Sequence, residues 1–476
     1  MSAAERFLAV VRKHMLDPSR AATPDIWSPG LESLSRDALR SVQEEKLACA
    51  FDYLHEESTF YRKRFDEAGL GPGSVKTLDD LRKVPITRKM DWISDIEAHP
   101  PWGDFSPLRP ERWSGGAGWT IFSTSGTTRT PRLFRHTSHD REVFAWMTAR
   151  ALWSYGIRPG YVALNCFFYG PSVAAWGLHH GLHLLGCAVI PGGPIPSEKR
   201  ASMVHLTKPQ VLLGTPSTLL SLAHRLKQQG FEPASAGVKV LVCAGEPGAS
   251  VPATRRRLEA TWGAAVHDDF GCTEVAQVPL GYTCSAAVAG DGTSSVHLME
   301  DAHIVEVLDP ETLEPTPPGQ RGTLVVTNLY SEGGPYLRYD MGDWIAVTNE
   351  ACACGRTHAR ALGGLVGRND HCLKIKGLQF FPGTFEDALR SLATVGDEYR
   401  IEVDTDRGED SAGPERDIVR IVAERALTAV VTESEVAMRL RGILGISVLV
   451  TLVDAGTLPR TEGKGVRFVD RRVPTP

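Results

Sequence analysis

The sequence predicts an α/β protein, with a large N-terminal region of mostly parallel sheets, a β-rich subregion within it, and a small C-terminal α+β domain. Three observations lead there. Between residues 142 and 246, helical apolar spacing alternates with the short apolar runs VALNCFF, CAVIP, VLLG and KVLVCAGE, each leading into Gly or Pro. Helices alternating with wholly apolar strands are the pattern of a parallel sheet covered on both faces. Residues 296–326 are strand-rich, with turns at Asp309-Pro310 and at 317–322. Beyond Gly367, strand, helix, two strands, helix and strand follow within about 110 residues, the order of a small α+β unit.

Residues 1–30 give a short amphipathic segment and a Pro/Gly-rich passage, and read as a weakly attached lead-in. Leu47, Ala50, Phe51 and Leu54 recur at helical spacing, and Gly69 with Gly71 marks a stop. The next stretch reads as a helix, a break at Pro85 and a helix start at Thr87. Helices are expected at 142–155 and 174–185, and strands at 162–168, 187–191, 211–214 and 239–246. Ligands of such sheets sit beyond the carboxyl ends of the strands, where Gly170, Gly214 and the run Gly245, Glu246, Pro247 fall.

Composition narrows the function classes. Across 476 residues, 52 basic and 57 acidic side chains are spread evenly, which leaves no electrostatic footprint for nucleic acid. The basic run at 255–257 lies in an amphipathic pattern and reads as a solvated helix face. Neither a signal segment nor an 18-residue apolar run is present, so a soluble cytoplasmic protein with no membrane partner is expected. Nine scattered cysteines do not form a disulfide framework, but the spacing of Cys352 and Cys354 needs its own explanation.

Five stretches carry chemistry. FSTSGTTRTPR, at 122–132, places Ser123, Thr124, Ser125, Gly126, Thr127 and Thr128 in one loop, where glycine freedom and hydroxyl donors suit a polyphosphate. HDDFGCTE, at 267–274, offers the Phe270 ring to a planar base and the Glu274 carboxylate to a phosphate-bound metal. In LRYDMGD, Asp343 can accept hydrogen bonds from two ribose hydroxyls. GRNDHCLKIKG presents Arg368 to phosphate and sets Asp370 where the large region hands over to the small one. LPRTEGKGVR displays Lys464 on a Gly-flanked loop. Taken singly, the stretches also read as a polar surface loop, a buried Phe beside a helix start, a turn Asp and a solvated basic loop; their order and shared ligand are what point to a nucleotide site.

Together they resemble the adenylate-forming superfamily, and more closely its phenylacetate-CoA ligases and related aryl-acid CoA ligases. Further words carry the likeness: TLDDLRKVPIT, GLHHGLHLLGCAVIPGG, GTPS, GEPG and PRTEGKGVRFVDRR, over about residues 31–472. The resemblance implies an adenylate-forming domain at 31–366, a mobile domain at 370–476 and a hinge near 367–371 centred on Asp370. It implies that residues 124–128 hold the β- and γ-phosphates of ATP, with Ser123 and catalytic Thr128 at the ends of that loop. Gly245, Glu246, Pro247, Asp269 and Phe270, flanked by Gly271 and Thr273, would frame adenine. Glu274 would hold Mg²⁺, Asp343 and Arg368 would bind ribose or phosphate, and Lys464 would bridge the acid and the α-phosphate. The acid pocket is expected among Tyr169, Gly170, Ser172, Trp176, Gly214 and Ala244.

The implied reaction joins an aromatic carboxylic acid to AMP and then to the thiol of CoA. A carrier-protein thiol or an amine is the alternative acceptor, and an inactive nucleotide-binding regulator the alternative of another class. A homodimer is implied as well. Arg129 stands where the family often has Gly, Phe270 where Tyr is common, and His371 where a second Asp is common. The CxC pair resembles the zinc-bearing subset of these ligases, implying a structural Zn²⁺ on Cys352, Cys354, Cys284 and His297, with His303 and His358 as competing histidines.

Overall fold

The computed structural model describes residues 1–15, 22–109, 118–124, 132–246, 250–286, 294–365, 367–368, 373–375, 378–380, 382–406, 416–427, 429–459 and 467–472. A helical group comes first: α1 (Ala3–Lys13), α2 (Pro29–Glu32), α3 (Arg36–Glu57), α4 (Thr59–Glu67), α5 (Leu78–Leu81) and α6 (Lys89–Ala98). The opening segment is not weakly attached. Ser2 and Glu5 form a capping box that starts α1, and Ala3, Ala4, Phe7, Val10 and Val11 are buried along one face. Phe7 stacks on Tyr53 of α3 with ring centroids 5.7 Å apart. Helix α6 starts at Lys89 rather than Thr87, because Thr87 forms a parallel bridge with Tyr339. Its N–H donates to Arg338 O at 2.8 Å, and Asp340 N donates to Thr87 O at 2.9 Å.

A two-stranded hairpin, β1 (Thr120–Ser123) and β2 (Leu133–His136), flanks the hydroxyl loop. Helix α7 (Ser138–Ser154) begins four residues before the expected Glu142, since Thr137 and Asp140 form its capping box. Then β3 (Val162–Asn165), α8 (Val173–Leu184), β4 (Ala188–Pro191), α9 (Ser197–Thr207), β5 (Val211–Gly214), α10 (Pro216–Gln228), β6 (Val240–Cys243), α11 (Pro252–Trp262) and β7 (Ala265–Cys272) alternate, with α9, α10 and strand β7 adding to the elements read from the sequence. Strands β4, β3, β5, β6 and β7 pair in that order, all parallel.

At β7 the sheet changes character. Strands β8 (Ala276–Tyr282), β9 (Ser295–Leu298), β10 (His303–Leu308), β11 (Arg321–Asn328), β12 (Tyr339–Thr348), β13 (Arg360–Leu362) and β14 (Gly367–Arg368) continue it, and every pairing is antiparallel. Twelve strands thus form one sheet, in the order β10-β11-β12-β13-β9-β8-β7-β6-β5-β3-β4, with β14 on β12. The small unit holds the hairpin β15 (Leu373–Ile375) and β16 (Leu378–Phe380), α12 (Pro382–Arg390), β17 (Val395–Asp406), β18 (Arg416–Arg425), α13 (Glu433–Leu444), β19 (Leu449–Val453) and β20 (Phe468–Asp470). Its four-stranded sheet runs β19-β18-β17-β20. It has its own apolar core around Phe385, Leu389, Ile401, Val403, Ile421 and Leu440. No helix among the described residues is long and apolar enough to cross a membrane.

The helical group is tied to the β-rich half by buried ions. Glu32 and Arg150 have fully buried side chains, and Arg356 is 1% exposed. Glu32 Oε2 accepts from Arg356 Nε at 2.6 Å and from Tyr282 Oη at 3.1 Å. Arg150 donates to both oxygens of Asp301 at 2.8 and 3.0 Å. Burial alone would raise the Glu32 carboxyl; Arg150 and Arg356 outweigh it and hold the pKa below its usual value. Lys46 Nζ donates to Asp301 O at 2.6 Å in the same region. There burial pulls the ammonium down to about 8, with the Asp301 charge working against the fall. The basic run at 255–257 is not a solvated face either. Arg255 is buried and donates to Val266 O at 2.9 Å, while Arg257 pairs with Asp397.

Removing one member of a buried pair leaves the other charge uncompensated. Glu32→Ala is therefore expected to destabilise the protein by about 3–5 kcal/mol, read as a lowered urea midpoint. Lys46 supplies a pH test. Its folded pKa of about 8 lies below the ordinary 10.5, so the unfolded chain holds the extra proton between these values and stability rises with pH across that window. At full extent the rise is about 3 kcal/mol. Lys46→Met should abolish it, as measured by thermal unfolding at pH 7.5 and 9.5; an unchanged rise would assign it to other groups.

Candidate active site

The hydroxyl loop leaves β1 and returns on β2. Ser123 N donates to Pro171 O at 2.8 Å and Thr124 N to Arg132 O at 3.1 Å, so both ends of the loop are held. The Thr124 hydroxyl is buried with no hydrogen-bond partner among the described residues. Ser125, Gly126, Thr127, Thr128 and Arg129 lie outside the described residues. At the loop's exit, Arg132 Nη2 meets Glu274 Oε1 at 2.7 Å, and the side chains are 4% and 14% exposed. Arg132 Nη1 donates to Tyr339 Oη at 3.3 Å, and Tyr339 stacks on Trp92 at 4.3 Å. Sequence reasoning named Glu274 and missed this partner. The available signal was an arginine closing a loop otherwise built of hydroxyls.

On β7 the side chains alternate between the two faces of the sheet. Phe270 pairs across to Gly281 of β8, and a Cβ at 281 would lie 2.3 Å from Phe270 Cε1, so the missing side chain makes room for the ring. Asp268 shares the Phe270 face and accepts from the Ser250 hydroxyl. Asp269 points the other way, toward α7, where it meets the Tyr155 hydroxyl. Asp269 and Phe270, expected to border one ligand, therefore lie on opposite faces of the sheet, and it is Asp268 that shares the Phe270 face. Burial pushes the Asp268 carboxyl up to about 6, and burial followed by the Asp268 charge raises Asp269 well above the usual range. Gly271 is exposed and Thr273 half-buried where β7 gives way to the turn.

Beyond β6, Gly245 adopts φ 88°, a left-handed value that favours glycine. The following Glu246 accepts from Ser217 N at 2.7 Å, at the start of α10. Asp343 of β12 stands opposite Arg368 of β14 in the antiparallel register. Pro247, Asp370, His371 and Lys464 lie outside the described residues, as does the Arg368 side chain.

The residues expected to hold the acid follow β3, β5 and β6. Tyr169 and Trp176 pack edge to face at 5.2 Å, and Trp176 Nε1 donates to Gly170 O at 3.2 Å. The Tyr169 hydroxyl accepts from Asn165 Nδ2 at 2.9 Å and meets His179 Nδ1 at 3.1 Å, a partner the sequence did not reveal. Ser172 precedes α8 without capping it by its side chain. Phe122, Phe144 and Val173 form a small apolar cluster against Trp176. A Cβ on Gly214 would sit 3.3 Å from Leu219 Cδ2, and Ala244 follows β6 directly.

Cys284, His297, Cys352 and Cys354 come together with all four ligand atoms within 4.8 Å of one another. Cys284 Sγ and Cys352 Sγ are 3.8 Å apart, and Cys354 Sγ lies 3.3 Å from His297 Nε2. Tetrahedral Zn²⁺ with bonds of about 2.3 Å sets sulfurs about 3.8 Å apart, so the donor set fits the ion. His297 Nδ1 faces His358 O at 3.4 Å, which leaves Nε2 toward the sulfurs. His303 and His358 are turned to other partners: His303 Nδ1 to Met299 O, and His358 to the carbonyls of Leu298 and Leu31.

Comparison with known proteins places this geometry. A family model described as AMP-binding enzyme matches residues 66–330, and one described as AMP-binding enzyme C-terminal domain matches residues 377–472. A phenylacetate-coenzyme A ligase of Thermus thermophilus is 32% identical over 93% of this chain and 99% of its own. A 2-hydroxyisobutyryl-CoA ligase in the postadenylation state, in complex with 2-HIB-AMP, superposes with TM-score 0.86 at 28% identity, covering 97% of this chain and 94% of that one. The same ligase with 2-HIB-AMP and CoA in the thioesterification state gives TM-score 0.70 at 29% identity, covering 96% and 94%. With the larger family model spanning more than half its length and a relative aligned along nearly all of it, the chain belongs to the AMP-binding, adenylate-forming enzymes and is similar to their phenylacetate-CoA ligases.

Proposed function

We propose that this enzyme activates an aromatic carboxylic acid with ATP and passes the acyl group to CoA. The observation that carries the reading is the Arg132–Glu274 pair, which binds the exit of the hydroxyl loop to the β7–β8 turn beside Phe270. A phosphate-binding loop, a metal-binding carboxylate and a ring for the base are thereby neighbours. A carboxylate oxygen of the acid forms a bond to the α-phosphorus as the bond to pyrophosphate breaks, giving acyl-AMP. The CoA thiolate then attacks the acyl carbonyl and AMP leaves.

Two anions meet in the first step, so the protein's task is to supply fixed donors and cations where charge builds up. Residues 124–128 donate to the β- and γ-phosphates, Arg132 adds positive charge at their edge, and Lys464 bridges the acid and the α-phosphate. Asp343 accepts from the ribose hydroxyls beside Arg368, and Phe270 stacks on adenine with Asp268 on the same face. Glu274 suits Mg²⁺, which commonly takes one protein carboxylate together with substrate phosphates and there neutralises phosphate charge. Tyr169 and Trp176 line a flat pocket for an aryl ring, in keeping with the relatives named phenylacetate-coenzyme A ligase. Residues 31–366 and 370–476 would act as two domains about Asp370, in a cytoplasmic homodimer.

ATP/pyrophosphate exchange without CoA, run over arylacetic, benzoic and fatty acids, tests the reading; exchange with one aryl acid, followed by its acyl-CoA on adding CoA, is expected. Exchange without thioester would point to a carrier-protein or amine acceptor, and no exchange to an idle binder. Lys464→Ala should reduce exchange by roughly 10²- to 10³-fold, the scale of one lost transition-state donor. For the cysteine cluster, elemental analysis should find about one zinc per chain. Cys354→Ser should lower both metal content and thermal stability, and wild-type protein purified without zinc would refute the assignment.

A further inference from the structure

The small unit rests on the large one through polar contacts along α10 and α11. Ala253 N donates to Asp387 Oδ1 at 3.2 Å, and Arg257 pairs with Asp397 and donates to Val395 O at 3.5 Å. A further contact reaches the side proposed to hold the nucleotide. Arg467 Nη1 donates to Ser217 Oγ at 2.6 Å, and its Nε and Nη2 hold Glu398 at 3.3 and 3.0 Å. The guanidinium lies 5.3 Å from the centre of the Tyr399 ring. Ser217 N in turn donates to Glu246 Oε1 at 2.7 Å. Glu398, Arg467, Ser217 and Glu246 thus form one continuous bridge from the small core to the strand exit proposed to frame adenine.

The bridge is built rather than incidental. The Arg467 and Glu398 side chains are 10% and 7% exposed, and Arg467 O accepts from Ile401 N at 2.7 Å, which fixes the backbone at the start of β20. Arg467 also follows Lys464 by three residues. The two units here match a relative's postadenylation state, at TM-score 0.86, more closely than its thioesterification state, at 0.70.

We propose that Arg467 is a positioning residue for adenylation: by gripping Ser217 while held by Glu398, it sets the arrangement of the two units in which the acid is activated. The inference rests on the proposed acid–CoA ligase reaction and adds to it a residue selective for one half of that reaction. The thioester half does not use the grip, so losing it separates the two.

The test measures the halves apart in the full-length enzyme: ATP/pyrophosphate exchange with phenylacetate, and CoA thioester formation from supplied phenylacetyl-adenylate. Arg467→Ala and Ser217→Ala should each lower exchange roughly ten- to a hundredfold, the weight of one charge-assisted hydrogen bond, and leave use of the supplied adenylate within about twofold. Ser217→Ala keeps the Arg467–Glu398 pair, so it answers the question even if Arg467→Ala misfolds. Arg467→Lys should recover part of the exchange. Equal loss of both halves, or unchanged exchange in Ser217→Ala, would overturn the proposal. A second readout needs no substrate: fluorophores placed one on each unit should report a broader distance distribution in Ser217→Ala. An unaltered distribution would overturn the inference on its own. A wild-type enzyme that neither makes nor uses any aryl-adenylate would instead overturn the reaction assignment.

Discussion

Everything in the candidate site hangs on strand β7 being paired on both sides, parallel with β6 and antiparallel with β8. Parallel pairing puts the ends of β5, β6 and β7 on one rim, which is how Gly214, Glu246 and Phe270 come to share a side of the sheet. Antiparallel pairing returns the chain at once, so the turn carrying Glu274 stays beside the strand it leaves. A parallel neighbour would have required a long crossover and led the chain beyond Glu274 away from this rim. Arg132 then closes the arrangement from outside the sheet.

The buried charges serve a different end. Glu32, Arg150, Asp301 and Arg356 balance one another in charge, and such a set is weak evidence for stability, since apolar residues of the same volume often do as well. What it supplies is selectivity of placement. An apolar α2 could slide along the β-rich half with little change in energy. A carboxylate that must meet two guanidiniums and a tyrosine hydroxyl has one seat.

Local chemistry was legible in the sequence and distant pairing was not. The parallel strands announce themselves because each is a short, wholly apolar run such as Val211–Gly214, buried on both faces. The motif stretches stand out because glycine, hydroxyl and carboxylate types occur there at short spacing. The cysteine and histidine donors were legible for the same reason, as a small set of chemically marked residues. Glu32 and Arg356, 324 residues apart, gave no sign of each other. The docking of α1 could have been read from Ser2, Glu5 and the apolar spacing of Phe7, Val10 and Val11, had they outweighed the loop-like passage behind them. Residues 265–272 form strand β7, and parity along it decides which of two adjacent aspartates shares the face of the ring, a point the motif's residue types alone do not carry.

The cysteine cluster sits next to a clasp. Directly after Cys354, Arg356 holds Glu32 and the Asp25 carbonyl, Thr357 donates to the carbonyl of Leu34 at 2.6 Å, and His358 meets that of Leu31. Three successive residues therefore grip the stretch that leads into the first long helix. Because Cys352 and Cys354 set the path of that short segment, the conformation of the chain's beginning is governed from near its three-quarter point. Amino-terminal fusions and trimmed variants would then act as long-range perturbations of the cysteine loop, and disorder among the thiols would be felt first at the opposite end of the polypeptide.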